Sequence, residues 1–181
     1  PYWEGKSLED VLNERYGKEI NEIGKVVKIN QKDHAQGHIC PNCKKWLAMG
    51  PAGLQKEAKE KLKTCSEDKK DFYRSIDLVM EGARNFMGRY HDLIVEMASH
   101  EADEEKKAMM LKVAENCRNL SIRPAQTFHE AVQSTWFLFV ILQMESNASS
   151  FSPGRLDQHL ISFYEKDLAE GKLTRQDALE I

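Results

Sequence analysis

Proline and glycine are scarce, 5 and 10 in 181 residues. Few chain breaks are therefore enforced, and the stretches between them are free to run as helix. Charge of one sign is missing too: 26 Lys and Arg stand against 29 Asp and Glu, a net −3. That balance leaves no basic footprint for nucleic acid or for an anionic membrane surface, so neither partner is expected. The longest apolar run, Trp136 to Met144, falls well short of the roughly 20 residues a bilayer-spanning helix needs. Four cysteines without regular spacing do not make a disulfide framework. Tyr2 to Lys6 lacks the basic-then-apolar pattern of a secretory leader, and the expected compartment is the reducing cytoplasm. No Gly-x-Ser-x-Gly, Walker A loop, dinucleotide fingerprint or His-Glu-x-x-His is present.

What is present suffices for a core. Apolar residues make up 41% of the chain, which excludes wholesale disorder, and the length suits about one domain at roughly 150 residues each. The chain opens on Pro1 and stops at Ile181 inside a helical pattern, so the expectation is a fragment of a longer polypeptide.

The periodicity predicts a mainly α fold. Ser7 and Asp10 resemble a capping box, followed by Leu8, Val11, Leu12 and Tyr16 at helical spacing. Residues 31–42 break the pattern and read as a loop. Helical spacing resumes at Leu47, pauses at Gly50-Pro51 and continues through Leu54, Ala58 and Leu62. A long helix is expected from about Asp68 to His100, with Phe72, Ile76, Val79, Met80 and Ala83 on one stripe, and another from about Asp103 to Asn119. Thr127-Phe128-His129-Glu130 is a capping box that launches an almost wholly apolar helix to about Glu145, expected to be the most buried of the chain. Its Trp136, Phe137, Phe139, Val140, Ile141 and Leu142 should contact several helices or a barrel. Leu156 to Glu170 is helical, Gly171 caps it, and Thr174-x-x-Asp177 opens a last helix.

Two segments are candidates for chemistry. His34, His38, Cys40 and Cys43 cluster within ten residues. Cys-x-x-Cys is half of a zinc site, but a second ligand pair normally comes from farther away, and four ligands this close are cramped around one tetrahedral ion. A redox dithiol is the other alternative, without a βαβ pattern to support it. Two reduced loop cysteines and no bound metal is the favoured reading. His38 follows Gly37, and a loop histidine can present a titratable ring to a pocket; His91, His100 and His129 fall within helical patterns. The other candidate is the polar stretch Glu145 to Gln158, which follows the most apolar helix. Hydroxyls and amides there need partners, from the backbone or from a ligand. Arg155 and Asp157 are too close in sequence to imply that they pair.

The run RPAQTFHEAVQSTWF (Arg123 to Phe137) and then QMESNASSFSPGRLDQ (Gln143 to Gln158) resembles the N-terminal portion of the glycyl radical enzymes, the pyruvate formate-lyase-like superfamily. YWEGKSLED (Tyr2 to Asp10), GHICPNCKKWLAMGPAGLQKEA (Gly37 to Ala58), the stretch from Arg89 to Cys117 and YEKDLAEGKL (Tyr164 to Leu173) are similar to it in order and spacing. The resemblance implies that residues 1–181 are part of one pyruvate formate-lyase-like domain with no internal boundary. The parent would be a ten-stranded α/β barrel wrapped in helices and a homodimer. It would store a radical on a C-terminal glycine, installed by an S-adenosylmethionine-dependent iron–sulfur activase and passed to a barrel cysteine. Cys40, Cys43, Cys65 and Cys117 lack the context of that cysteine, and the glycine motif is absent, so the resemblance implies no catalytic residue and no bound cofactor in this stretch.

What the resemblance does carry over is substrate contact. His38 matches a histidine that points toward substrate in the dehydratase-like branch. Ser149 and Ser150, after Asn147, match a short polar step that is often His-Ser there. The expected activity is radical cleavage or elimination of a small molecule by the parent: a lyase, dehydratase, decarboxylase or formate acetyltransferase type of reaction. A free-standing helical interaction module is the alternative.

Overall fold

The computed structural model describes residues 5–6, 8–24, 39–146 and 150–181, and every structural statement below concerns those residues. They form seven α-helices: α1 (Leu8–Gly24), α2 (Cys43–Thr64), α3 (Lys70–Ser99), α4 (Glu104–Ile122), α5 (Phe128–Ser146), α6 (Leu156–Ala169) and α7 (Arg175–Glu180). A 3-10 turn at Glu67–Lys69 leads into α3. No strand is present among these residues, only an isolated parallel bridge between Ile39 and Phe151. No helix is long and apolar enough to cross a membrane. The mainly α expectation is met.

The chain divides into two compact units. One comprises Pro1–Ile39 with Leu142–Phe151, the other Cys40–Ile141 with Ser152–Ile181. In the first, α1 leaves helical geometry at Tyr16 (φ −136°, ψ 21°). Val11 is buried, and Tyr16, at the break, is exposed. Ser7, the expected cap, lies outside the described residues.

In the second unit α2, α3 and α4 pack together around Met87, Leu120, Cys117 and Cys43, all essentially solvent-free. The covered face of α3 includes Ala83, Met87 and Ala98. The expected stripe is buried only in part: Phe72 and Val79 stand at helical spacing with Ala83 but are exposed. The pause at Gly50-Pro51 is real. Gly50 (φ +59°, ψ 174°) interrupts α2, as a residue preceding proline is driven out of helical geometry. A Cβ there would stand 3.2 Å from both Arg123 O and Pro124 Cα. Glycine thus lets α2 approach the α4–α5 connection closely, at a backbone angle that other residues resist.

That connection is held by one buried carboxylate. Glu130 is 3% exposed and accepts from Arg123 Nη1 (2.8 Å) and Nη2 (2.7 Å), from the Gln126 N–H (2.8 Å) and from Asn119 Nδ2 (3.1 Å). The expected capping box is therefore only half built. Thr127 Oγ1 accepts from the Glu130 N–H at 3.2 Å, but the Glu130 carboxylate goes to Arg123 and Gln126. A guanidinium offers a full positive charge and two bonds, where the Thr127 N–H would offer one bond from an uncharged donor. The reciprocal box does form at α7, where Thr174 Oγ1 accepts from Asp177 N (3.1 Å) and Thr174 N donates to Asp177 Oδ2 (2.8 Å).

Within the described residues α5 is buried on one side only. Glu130, Ala131, Ser134, Phe137 and Leu138 are buried, whereas Trp136 is 69% exposed and Met144 is exposed. The buried positions follow helical spacing and face neighbours: Trp46 Nε1 donates to Ser134 O at 2.9 Å, and Phe137 meets Phe86 and Tyr90 edge-on. The other helices here cover one side of α5, while its sequence is apolar on all sides.

Burial works to raise the Glu130 carboxyl, but the hydrogen bonds from Arg123, Gln126 and Asn119 outweigh it and hold it below its ordinary 4.5. Stability from this node should be complete above that ordinary value and be lost as pH falls through the depressed one. Glu130→Ala should cost about 3 kcal/mol, the low end for a buried pair, because Arg123 keeps some contact with water. Urea unfolding at pH 7 checks this, and a loss under about 1 kcal/mol would show the node to be dispensable.

Candidate functional site

The polar stretch after α5 and the loop before α2 converge on the Ile39–Phe151 bridge, which belongs to the first unit. The bridge is parallel. Ile39 is the chain neighbour of His38, and Phe151 that of Ser150. Of the expected substrate contacts, Ser150 alone is described. It is exposed and holds φ at +64°, the only non-glycine residue among those described to do so. A serine in the left-handed region carries a backbone cost of about 1–2 kcal/mol, which the surrounding chain must offset. His38, Asn147 and Ser149 lie outside the described residues, as does His34.

In the second unit the chain continues through the turn that starts α6. Gly154 has φ +69°, and a Cβ there would stand 3.0 Å from Cys40 Sγ and 3.7 Å from His159 Nε2. Glycine is thus required twice, by its angle and by its neighbours. The Gly154 N–H donates to Ser152 Oγ (3.3 Å). Arg155 and Asp157, whose spacing alone does not imply a pair, do pair: Nε donates to Oδ1 at 2.9 Å and Nη2 to Oδ2 at 2.6 Å. The Arg155 bonds hold the Asp157 carboxyl well below the usual carboxylate range. Both side chains are exposed, so the pair orders the start of α6 more than it stabilises the fold.

Cys40 is exposed and Cys43 buried, at the first residue of α2. Burial pushes the Cys43 thiol up, and the Cys40 sulfur adds to this. No group of three or more His, Cys, Asp and Glu gathers among the described residues as it would around a metal ion. A concave surface beside α5 left no sign in the sequence. A cavity of about 440 Å³ lies beside α5, lined by Phe86, Tyr90, Cys117, His129, Trp136 and Phe137 among others. His129 sits in the capping turn where a structural role was expected. Burial, with Lys112 nearby, lowers its pKa, and its Nδ1 is buried with no hydrogen-bond partner. Gln133 Nε2 donates to Cys117 Sγ at 3.0 Å, yet burial still pushes that thiol up to about 11.

These environments predict an order of thiol reactivity. Thiolate is the reacting form, and at pH 8 only about one Cys117 thiol in a thousand is ionised. Iodoacetamide should modify exposed Cys40 first, Cys65 next, and Cys43 and Cys117 only on the timescale of unfolding. Peptide mapping over time reads this directly, and early Cys117 alkylation would contradict the burial described.

Comparison with known proteins gives these segments a context. A family model described as pyruvate formate lyase-like matches residues 1–181. The chain is 32% identical over 193 residues to a (2S)-3-sulfopropanediol dehydratase from Klebsiella oxytoca, an alignment covering 99% of this chain and 23% of the relative. It is 31% identical to an isethionate sulfite-lyase from Nitratidesulfovibrio vulgaris, covering 100% of this chain and 24% of the relative. Among solved structures it resembles a glycyl radical enzyme from Archaeoglobus fulgidus, with a TM-score of 0.81, 29% identity, and coverage of 99% of this chain and 24% of that one. The chain thus spans about a quarter of the length of the relatives it matches. It belongs to the pyruvate formate lyase-like family.

Proposed function

We propose that residues 1–181 are the N-terminal part of a single pyruvate formate-lyase-like domain in a longer glycyl radical enzyme. The complete polypeptide cleaves, or eliminates a group from, a small substrate, and this part supplies polar contacts that orient it. The observation that carries the reading is the parallel Ile39–Phe151 bridge. It joins the immediate chain neighbours of His38 and Ser150, residues 112 positions apart in the sequence. A left-handed serine beside that bridge supports it as well, because strained backbone gathers at sites where geometry is put to use. The relatives named as a dehydratase and a sulfite-lyase favour loss of a leaving group as the reaction class. The family match speaks against a free-standing helical interaction module.

The radical chemistry lies outside this stretch, in a barrel cysteine and a C-terminal glycine of the complete chain, and supplies hydrogen abstraction. An S-adenosylmethionine-dependent iron–sulfur activase is its partner, and the assembly is a cytoplasmic homodimer. Within this stretch His38 holds the polar or leaving group and donates it a proton as it departs. Ser150, with Asn147 and Ser149, holds a second polar group by hydrogen bonds, fixing which hydrogen is presented. Without the radical residues the stretch turns nothing over by itself.

In the complete activated enzyme, His38→Ala should lower turnover by about 10²–10⁴-fold, the usual worth of a positioned proton donor. Ser150→Ala should cost about tenfold, one hydrogen bond's worth. The glycyl radical spin signal should be unchanged in both. Full activity of both variants on the true substrate would refute the assignment.

A further inference from the structure

The cavity beside α5 is left out of the proposed function, and its walls describe what fills it. Phe86, Tyr90 and Phe137 form a mutually edge-on cluster, with centroids 4.9, 6.0 and 5.9 Å apart. Trp136, also lining the cavity, is 69% exposed. At about 440 Å³ it has room for several apolar side chains. A large aromatic left in water beside an apolar hollow marks a surface that something covers.

Ile181, the last residue of the sequence, is itself part of the lining, so polypeptide continuing from it starts at the cavity. The relatives run to about four times the length of this chain, which covers 23–24% of them. We infer that the cavity is the seat of the chain's own continuation: the segment following Ile181 in the complete polypeptide packs apolar side chains over Trp136. This rests on the reading of residues 1–181 as part of a longer enzyme. A tethered segment is favoured over a second copy, because a short link from the rim gives it an effective concentration of about millimolar order. The burial expected of Trp136 from the sequence is then met by residues outside this stretch.

The test places the photocrosslinker p-benzoylphenylalanine at position 136 of the complete polypeptide, with irradiation and peptide mapping. The expected product is an intramolecular crosslink to a peptide beyond residue 181. Crosslinks between two copies, crosslinks confined to residues 1–181, or reaction with solvent alone would each overturn the inference. A second measurement needs no substitution: oxidative footprinting of Trp136 should be at least about tenfold slower in the native complete protein than in urea, the margin expected of a buried ring. Equal rates would overturn the inference. The glycyl radical signal of the same preparation separates the two failures. An open Trp136 in a protein that forms the radical removes this inference alone, whereas a reading frame that ends at Ile181 removes both.

Discussion

The second unit depends on one carboxylate. Glu130 stands at the first turn of α5 and reaches back across the α4–α5 connection to Arg123, Gln126 and Asn119. That single group ties the end of α4, the extended linker and the start of α5. Gly50 in turn lets α2 close against the same linker, because a Cβ there would crowd Arg123 O and Pro124 Cα at 3.2 Å. Trp46 then bonds Ser134 one turn further along α5. Three helices and a connection share one small volume, so α5 enters from a fixed point. Its far end leads to the polar stretch that carries Ser150.

Much of this was legible in the sequence because helices advertise themselves locally. The stop at Gly50-Pro51, the Gly171 cap (φ +67°) and the Thr174–Asp177 box are properties of a few adjacent residues, and each is found where its residues predict it. What could not be read was choice among partners. Thr127-x-x-Glu130 is a capping box in sequence, but Arg123 competes for the carboxylate and wins on charge. Apolar periodicity says that α5 is buried, yet says nothing about which polypeptide buries it, and Trp136 is the result. His129 looked like a helix-start residue; the burial of its unpartnered nitrogen leaves no mark in its sequence neighbours.

The candidate site divides in the same way. Family resemblance singled out His38, Asn147, Ser149 and Ser150, residues that no local pattern distinguishes from an ordinary loop. The sequence does not encode the pairing of their neighbours Ile39 and Phe151, because a single isolated bridge has no periodicity to detect. The left-handed backbone of Ser150 was equally hidden, since serine is not the residue that announces such an angle. Gly154 lies in a stretch to which the sequence assigned no structure, and its closeness to Cys40 was not readable there.

The central claim is that this stretch holds and orients while the reacting sulfur lies elsewhere in the enzyme. It is tested most directly by replacing Cys40, Cys43, Cys65 and Cys117 with alanine, one at a time, in the complete activated protein, and measuring turnover per glycyl radical. The account predicts that every variant that folds and forms the radical still turns over substrate. Abolished turnover in any one of them, with the radical signal intact, would make that cysteine the hydrogen-abstracting residue and contradict the account.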